Sequence, residues 1–195
     1  MVQINHEKYD AAQAYSGDDF PRMPAGGYVA RIQAVRTSGK DTKGNTIDYI
    51  NDKQYVKLIY DIAEGEFAGR YSDEYWAGED RDYGHCIYLS WKNEGALKGN
   101  INSLDESNPG FDALAALEAD KWELFIGKLV GIVLAEEEYI GNNGEVKTRF
   151  KLPSLRSAQA IREGRFCVPE LDKLPESERR EAEQQPDNYD DVPFM

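Results

Sequence analysis

Positive charges alternate along one stretch near the end of the chain. Lys147, Arg149 and Lys151 fall at every second position, so in a β-strand their side chains share one face. Between Lys147 and Arg165 the chain has six bases and one acid, a net charge of +5. Such a row could neutralise the phosphates of a nucleic acid. The alternative is an ordinary solvated strand face, and the row alone does not decide between the two.

A second basic stretch and several aromatic residues favour the nucleic-acid interpretation. Six bases and three acids lie between positions 31 and 57. Aromatic rings stack on nucleobases without regard to sequence, and a positive groove follows the phosphates of a single strand. We therefore predict a surface for single-stranded nucleic acid. The residues predicted to contact phosphates are Arg31, Lys57, Lys147, Arg149, Lys151 and Arg156, and the candidates for base stacking are Tyr55, Trp76 and Trp91.

Short strands must position most of these residues. Alternating or β-branched residues between turn signals are typical of strands. They predict a strand that begins at Gly27 and further strands at Tyr55–Ile62, Arg70–Trp76, Cys86–Trp91, Lys128–Glu136 and Val146–Leu152. Gly141-Asn142-Asn143-Gly144 is typical of a hairpin turn.

Helices are fewer than strands in this prediction. One is predicted at Phe111–Ala119 and a shorter one at Ser157–Glu163, while the polar stretch Ser38–Asn45 is predicted to be a long mobile loop. Strands and helices do not alternate along the chain, which argues against a doubly wound α/β sheet. The predicted fold class is mainly β, a small antiparallel β-barrel with one inserted helix.

Charge and composition divide the chain into three parts. The 195 residues include 36 acids and 23 bases, a formal net charge of −13, which excludes a uniformly basic nucleic-acid coat. Residues 170–195 contain nine acids and three bases. We predict an N-terminal arm at residues 1–25, a binding domain at 26–169 and a disordered acidic tail at 170–195.

The end of the tail has a composition suited to recognition by other proteins. Acids are followed there by an aliphatic residue, a proline and a phenylalanine, whereas a purely solvating tail gains nothing from apolar residues. The residues predicted to bind partner proteins are Asp190, Asp191, Val192, Pro193 and Phe194.

This tail resembles the acidic tip of bacterial single-stranded DNA-binding proteins, extended by one residue, Met195. The body, over roughly residues 21–169, resembles a phage-encoded single-stranded DNA-binding family found in replication and recombination modules. The motifs that carry the second resemblance are Gly26-Gly27-Tyr28 to Ile32, Gly69-Arg70, Phe111-Asp112, Ile126-Gly127-Lys128 and the run Ser157 to Gly164. The resemblance implies an OB-like barrel that binds single-stranded DNA and recruits replication or recombination proteins through its tail, in the cytoplasm of the host cell.

Other classes of function have weaker support in the sequence. The acids between Asp73 and Asp82, with His85, could be imagined as a metal-dependent nuclease centre, but a run of acids in a loop is more often solvated charge. We expect no enzymatic activity, no cofactor, no metal and no membrane span, and two isolated cysteines favour a reduced compartment. An acidic DNA mimic that inhibits a nuclease or a DNA-binding protein is the alternative, and the oligomeric state is left open.

Overall fold

The computed structural model describes residues 23–41, 43–71, 85–141 and 144–179. In chain order, the strands in these ranges are β1 (Gly26–Arg36), β2 (Ser38–Lys40), β3 (Thr46–Asp48), β4 (Tyr55–Ile62), β5 (Cys86–Ser90), β6 (Leu129–Leu134), β7 (Glu136–Ile140), β8 (Val146–Phe150) and β9 (Ser154–Arg156). The α-helices are α1 (Glu94–Ser107), α2 (Ala113–Glu118) and α3 (Ala158–Arg162). Tyr49–Lys53 forms a π-helical turn and Trp122–Phe125 a 3₁₀ turn.

Five strands form one antiparallel sheet in the order β5-β4-β1-β6-β9. The central strand, β1, is long enough to pair with β4 along one edge and with β6 along the other. Its register with β4 shifts between Ile32 and Ala34, and irregularities of this kind bend a strand and increase its twist. The sheet curls strongly into a half-barrel, which confirms the prediction of a mainly β, antiparallel fold.

The inner face of the half-barrel, as we call the side covered by α1 and α2, holds the main core. Side chains alternate along each strand, so Ile32, Leu58 and Ile132 all point to this face and are fully buried. Phe125 of the 3₁₀ turn is also fully buried in the same cluster. Burial of this apolar surface is the main stabilising contribution to the curled sheet.

Helix α3 covers part of the opposite face, which we call the outer face. Ala158 and Ile161 of α3 pack against Val29 and Val133. The helix lies very close to β6, because a Cβ atom added at Gly131 would be 2.5 Å from Cγ1 of Ile161. The predicted helix at 157–163 is thereby confirmed, and its function in the fold is to close one end of the outer face.

The longest helix, α1, is missing from the sequence prediction, which placed a single helix between the middle strands and the last hairpin. Its N-cap, Asn93, accepts a hydrogen bond from the backbone N–H of Ala96 at 3.0 Å. Leu97, Ile101 and Leu104 pack against the core from one side of the helix. Helix α1 contacts β5, β6 and β9, so it spans the opening between the two edge strands of the sheet, β5 and β9.

Two other parts of the sequence prediction were wrong in detail. The stretch expected to be a mobile loop, Ser38–Asn45, begins with strand β2, which pairs with β3 immediately after the stretch. The turn of this hairpin is held by Asp41, whose carboxylate accepts hydrogen bonds from the backbone N–H groups of Lys43 and Asn45, both at 2.8 Å. The strand expected at Lys128–Glu136 ends at Leu134, and a separate strand, β7, then pairs with β8 outside the main sheet.

The two ends of the described chain also differ from expectation. Met23, assigned to the N-terminal arm, is buried in the main core. The first residues of the acidic tail lie against β7: Asp172 pairs with Glu137 in a parallel bridge, and the backbone N–H of Leu174 donates to Glu138 at 3.0 Å. Residues 1–22 and 180–195 lie outside the described ranges. In the described part of the chain, no helix is long and apolar enough to cross a membrane.

Candidate nucleic-acid interface

Strand register brings a cation between tyrosines on the outer face. Lys57 of β4 lies opposite Arg36 of β1 and opposite Tyr88 of β5. Directly opposite residues of an antiparallel pair share a face, so these three form one row across the sheet. Tyr55 lies two residues before Lys57 on the same face, and its ring centroid is 4.7 Å from that of Tyr88. We call Tyr49, Tyr55, Lys57 and Tyr88 the tyrosine–lysine cluster.

Lys57 is almost covered by this cluster. Its Nζ atom is 5.1 Å from the ring centroid of Tyr49 and 5.8 Å from that of Tyr88, both within the range of cation–π attraction. Only 6% of the residue is exposed. The sequence predicted a lysine that projects outward to meet phosphates, but the structure places its charge beneath aromatic rings. Any effect of Lys57 on a ligand at this surface would therefore come from its electric field.

Local structure holds Tyr49 over Lys57. Asp48 caps the π-helical turn by accepting hydrogen bonds from the backbone N–H groups of Ile50 at 2.9 Å and Asn51 at 3.1 Å. The hairpin of β2 and β3 packs against the same ring: a Cβ atom added at Gly39 would lie 1.9 Å from the Tyr49 hydroxyl. Gly39 thus allows a close approach that no other residue type would permit.

Tyr88 remains a neutral phenol at physiological pH. Burial raises the pKa of Tyr88 well above its ordinary value, and the neighbouring Cys86 adds to the shift. The ring centroids of Tyr49 and Tyr55 are 5.0 Å apart, so the rings of the cluster are contiguous. Tyr49 is buried, and the half-buried Tyr55 and Tyr88 are the tyrosines of the cluster that reach the surface. The cluster thus combines a positive charge with rings of the kind on which bases stack, the two features that a site for single-stranded nucleic acid needs.

The alternating bases Lys147, Arg149 and Lys151 lie on a different surface, along β8 and just after it in the hairpin of β7 and β8. Acidic residues meet all three of them there, so their charge is locally compensated. The ion pairs are Lys147 with Glu145 at 3.6 Å, Arg149 with Glu137 at 2.7 Å and Lys151 with Asp172 at 2.5 Å. The hydrogen bond from Lys151 to Asp172 also raises the pKa of Lys151. The structure therefore does not present these bases as a row of open positive charge.

Three further predicted residues have separate environments. Arg31 donates a hydrogen bond from Nη1 to the backbone oxygen of Gly127 at 3.1 Å. Its charge is directed partly at Glu64, whose pKa is lowered mainly by a hydrogen bond from Arg162 and to a smaller extent by Arg31. Trp91, predicted to stack on bases, is half-buried and packs against the main core. Trp76 lies outside the described residues.

Arg156 is the exception within the basic stretch from residue 147 to residue 165. Arg162 pairs with Glu64 and Arg165 with Glu163, both at 2.5 Å. Among the described residues, no carboxylate lies within 4.0 Å of the guanidinium of Arg156. Its Nη1 donates instead to the backbone oxygen of Leu155 at 2.7 Å. Arg156 is exposed on β9 and is available to an anionic ligand.

The sequence analysis did not select Tyr49, Tyr88 or Arg36 for the site. Tyr88 could have been selected, because it alternates with the core residues Ile87 and Leu89 along a strand. Tyr49 has a weaker signal, since only a tertiary contact brings it to Lys57. The predicted partner-binding residues Asp190, Asp191, Val192, Pro193 and Phe194 lie outside the described ranges.

The chain matches no protein-family model and no curated protein. Within those residues, no group of three or more histidine, cysteine, aspartate or glutamate side chains is placed to hold a metal ion. The acidic stretch considered as a nuclease centre, between Asp73 and Asp82, lies outside them, and His85 is buried with its ring stacked on Tyr71 at 4.7 Å.

Proposed function

We propose that this protein binds single-stranded DNA without sequence specificity. The observation that carries the proposal is the tyrosine–lysine cluster on the outer face of a curled antiparallel sheet. Small barrels of the OB type bind single strands on such a face, and we propose that this half-barrel belongs to that type. The sequence resemblance to a phage-encoded DNA-binding family supports the same function in replication or recombination.

The proposed mechanism separates stacking from charge. Bases would stack on Tyr55 and Tyr88, and stacking of this kind contributes about 1–3 kcal/mol per base. Exposed Arg31 and Arg156 would contact phosphates, while Lys57 would attract the strand through its field. The hairpin bases Lys147, Arg149 and Lys151, and the tryptophans Trp76 and Trp91, are secondary candidates in this scheme.

The tail would have a separate function. Its last residues, from Asp190 to Phe194, combine acids with an apolar terminus that could fill a pocket on a partner. We propose that this peptide recruits replication or recombination proteins of the host cytoplasm while the half-barrel holds DNA. In this arrangement the positive groups of the half-barrel bind DNA and the acidic tail binds partner proteins.

A titration of labelled oligo-dT at several salt concentrations tests DNA binding directly. We expect saturable binding whose log K falls with log salt by about 0.7 per phosphate contacted. Oligo-dA and oligo-dC of the same length should bind with similar affinity if recognition is independent of sequence. Absence of binding at low salt would refute the proposal.

A second function has one specific observation in its favour. Carboxylates pair with most of the bases from residue 147 to residue 165, and the whole chain has a net charge of −13. An acidic protein whose bases are mostly compensated could mimic DNA and occupy a nuclease or a DNA-binding protein. The same titration separates the two functions, because a DNA mimic does not bind oligo-dT.

A further inference from the structure

A groove opens where α1 spans the gap between the edge strands β5 and β9. Tyr88 of β5 lies on one side, Ser154 and Arg156 of β9 lie on the other, and Gly99, Asn100 and Ser103 of α1 are among the residues that line it. The groove has a volume of about 280 Å³. We call it the seam groove. It shares Tyr88 with the tyrosine–lysine cluster, so the two surfaces are continuous.

The polar groups of the seam groove match the parts of a nucleotide. Arg156 supplies a guanidinium with no carboxylate beside it in the described chain, and guanidinium groups bind phosphates through two parallel hydrogen bonds. Asn100 has both donors and an acceptor, and the Ser103 hydroxyl can accept a bond while it donates to the backbone oxygen of Gly99 at 2.9 Å. These groups can pair with the polar edge of any base. Tyr88 adds an aromatic surface.

The size of the groove limits what can enter. Sites for drug-sized ligands have volumes of roughly 300–1,000 Å³, so a groove of about 280 Å³ accepts one planar ring system and excludes a stacked pair. A base must leave its stack to enter such a space, which is easy for a single strand and costly for a duplex. The shape therefore favours single-stranded over double-stranded DNA.

We propose that the seam groove binds one unstacked nucleotide of a DNA single strand, with the base against Tyr88 and a neighbouring phosphate on Arg156. This inference rests on the proposed function and deepens it. It also gives the path of the strand: from the tyrosine–lysine cluster across Tyr88 and over α1 toward β9.

Gly99 provides a test that leaves the fold intact. No atom lies within 4 Å of a Cβ placed on Gly99, and glycine is unfavourable inside a helix, so a side chain can be added there without a clash. Gly99→Gln, Gly99→Glu and Gly99→Lys place a neutral, a negative and a positive group in the groove. The matched control is Asn102→Glu, which adds a negative charge to an exposed position of the same helix outside the groove.

We expect oligo-dT affinity to fall about tenfold more for Gly99→Glu than for Asn102→Glu, because a new charge a few ångströms from the phosphate is only partly screened. Gly99→Lys should bind more tightly than Gly99→Gln. Arg156→Gln should make the salt dependence shallower by about 0.7, whereas Arg165→Gln, which removes the same group from an ion pair, should leave it unchanged. Circular dichroism and thermal melts of each variant establish that the fold is retained.

The outcomes distinguish failure of the seam groove as the binding site from failure of the proposed function. If the wild-type protein binds oligo-dT but Gly99→Glu and Asn102→Glu weaken binding equally, the seam groove is not the site and the proposed function stands. If the wild-type protein does not bind, the proposed function fails and the groove proposal fails with it. An abasic oligonucleotide of equal length is the further probe: Tyr88→Leu should weaken binding of oligo-dT and not of the abasic strand, and equal losses would overturn the assignment of a base to Tyr88.

Discussion

A triple variant tests whether an alternating row of bases on a strand is a DNA-binding surface. In this variant glutamine replaces each of Lys147, Arg149 and Lys151. Each base has a carboxylate at 2.5–3.6 Å. A phosphate that bound one of these bases would displace that carboxylate, which would then collect a counterion of its own. Little net release of counterions follows, although such release is what makes DNA binding depend on salt.

The expected magnitude follows from this exchange. If all three bases contacted phosphates as open charges, the triple variant would lose three contacts and its log K against log salt would become shallower by about 2. With the bases already paired, we expect a change in slope below about 0.7. The affinity should fall by no more than about threefold, the size of effect typical of exposed ion pairs.

Fluorescence anisotropy of labelled oligo-dT over a range of salt concentrations measures both quantities. The triple variant is compared with the wild type and with Arg156→Gln, which should change the slope more through a single substitution. A slope shallower by about 2 in a folded triple variant would refute the reasoning. It would show that the hairpin holds the DNA and that the ion pairs open on binding.

Three further predictions concern stability, charge and the tail. Gly131→Ala should lower the free energy of unfolding by about 1–3 kcal/mol in a urea melt, because its Cβ would meet Ile161 at 2.5 Å. A hydrogen bond from Arg179 lowers the pKa of Glu138. The stabilisation from this pair is therefore complete above the ordinary carboxyl pKa and is lost as the pH falls through the lowered pKa of Glu138. Proteolysis of the C-terminal segment should become faster at that low pH and stay slow at neutral pH. Deleting Pro186–Met195, which contains three acids and no base, should leave oligo-dT affinity unchanged or raised, and a clear loss would contradict a tail that serves partners.

Strands with a strong alternating pattern could be predicted from the sequence. The bounds of β4, Tyr55–Ile62, agree with the prediction because apolar residues at every second position fit only an extended strand against a core. The hairpin signal at Gly141–Gly144 and the helix that begins after Ser157 also agree, since their turn and cap chemistry is local.

Features that depend on tertiary contacts could not be predicted in this way. Helix α1 contains Gly95 and Gly99, which have low helix propensity, so its local signals are limited to the N-cap residue Asn93 and the apolar spacing. Alternation along β4 separates its two faces but does not show that the second face is covered as well. For that reason Lys57 was predicted to be outward and is in fact buried under tyrosines that come from β5 and from the turn after β3.

The net charge of a segment also does not show which of its charges remain open to a ligand in the folded protein. The stretch from residue 147 to residue 165 has a net charge of +5, yet three of its bases meet acids from other parts of the chain: Glu137 across the hairpin, Asp172 from the tail and Glu64 from the turn after β4. A charge becomes available to a ligand only where the fold brings no opposite charge to it. In this molecule that condition selects Arg156 from the six bases of the stretch. Arg156 lines the seam groove together with Tyr88, where α1 separates the two edge strands of the described sheet, β5 and β9. The position of the candidate site therefore follows from the closure of the half-barrel by α1, the element that the sequence analysis did not find.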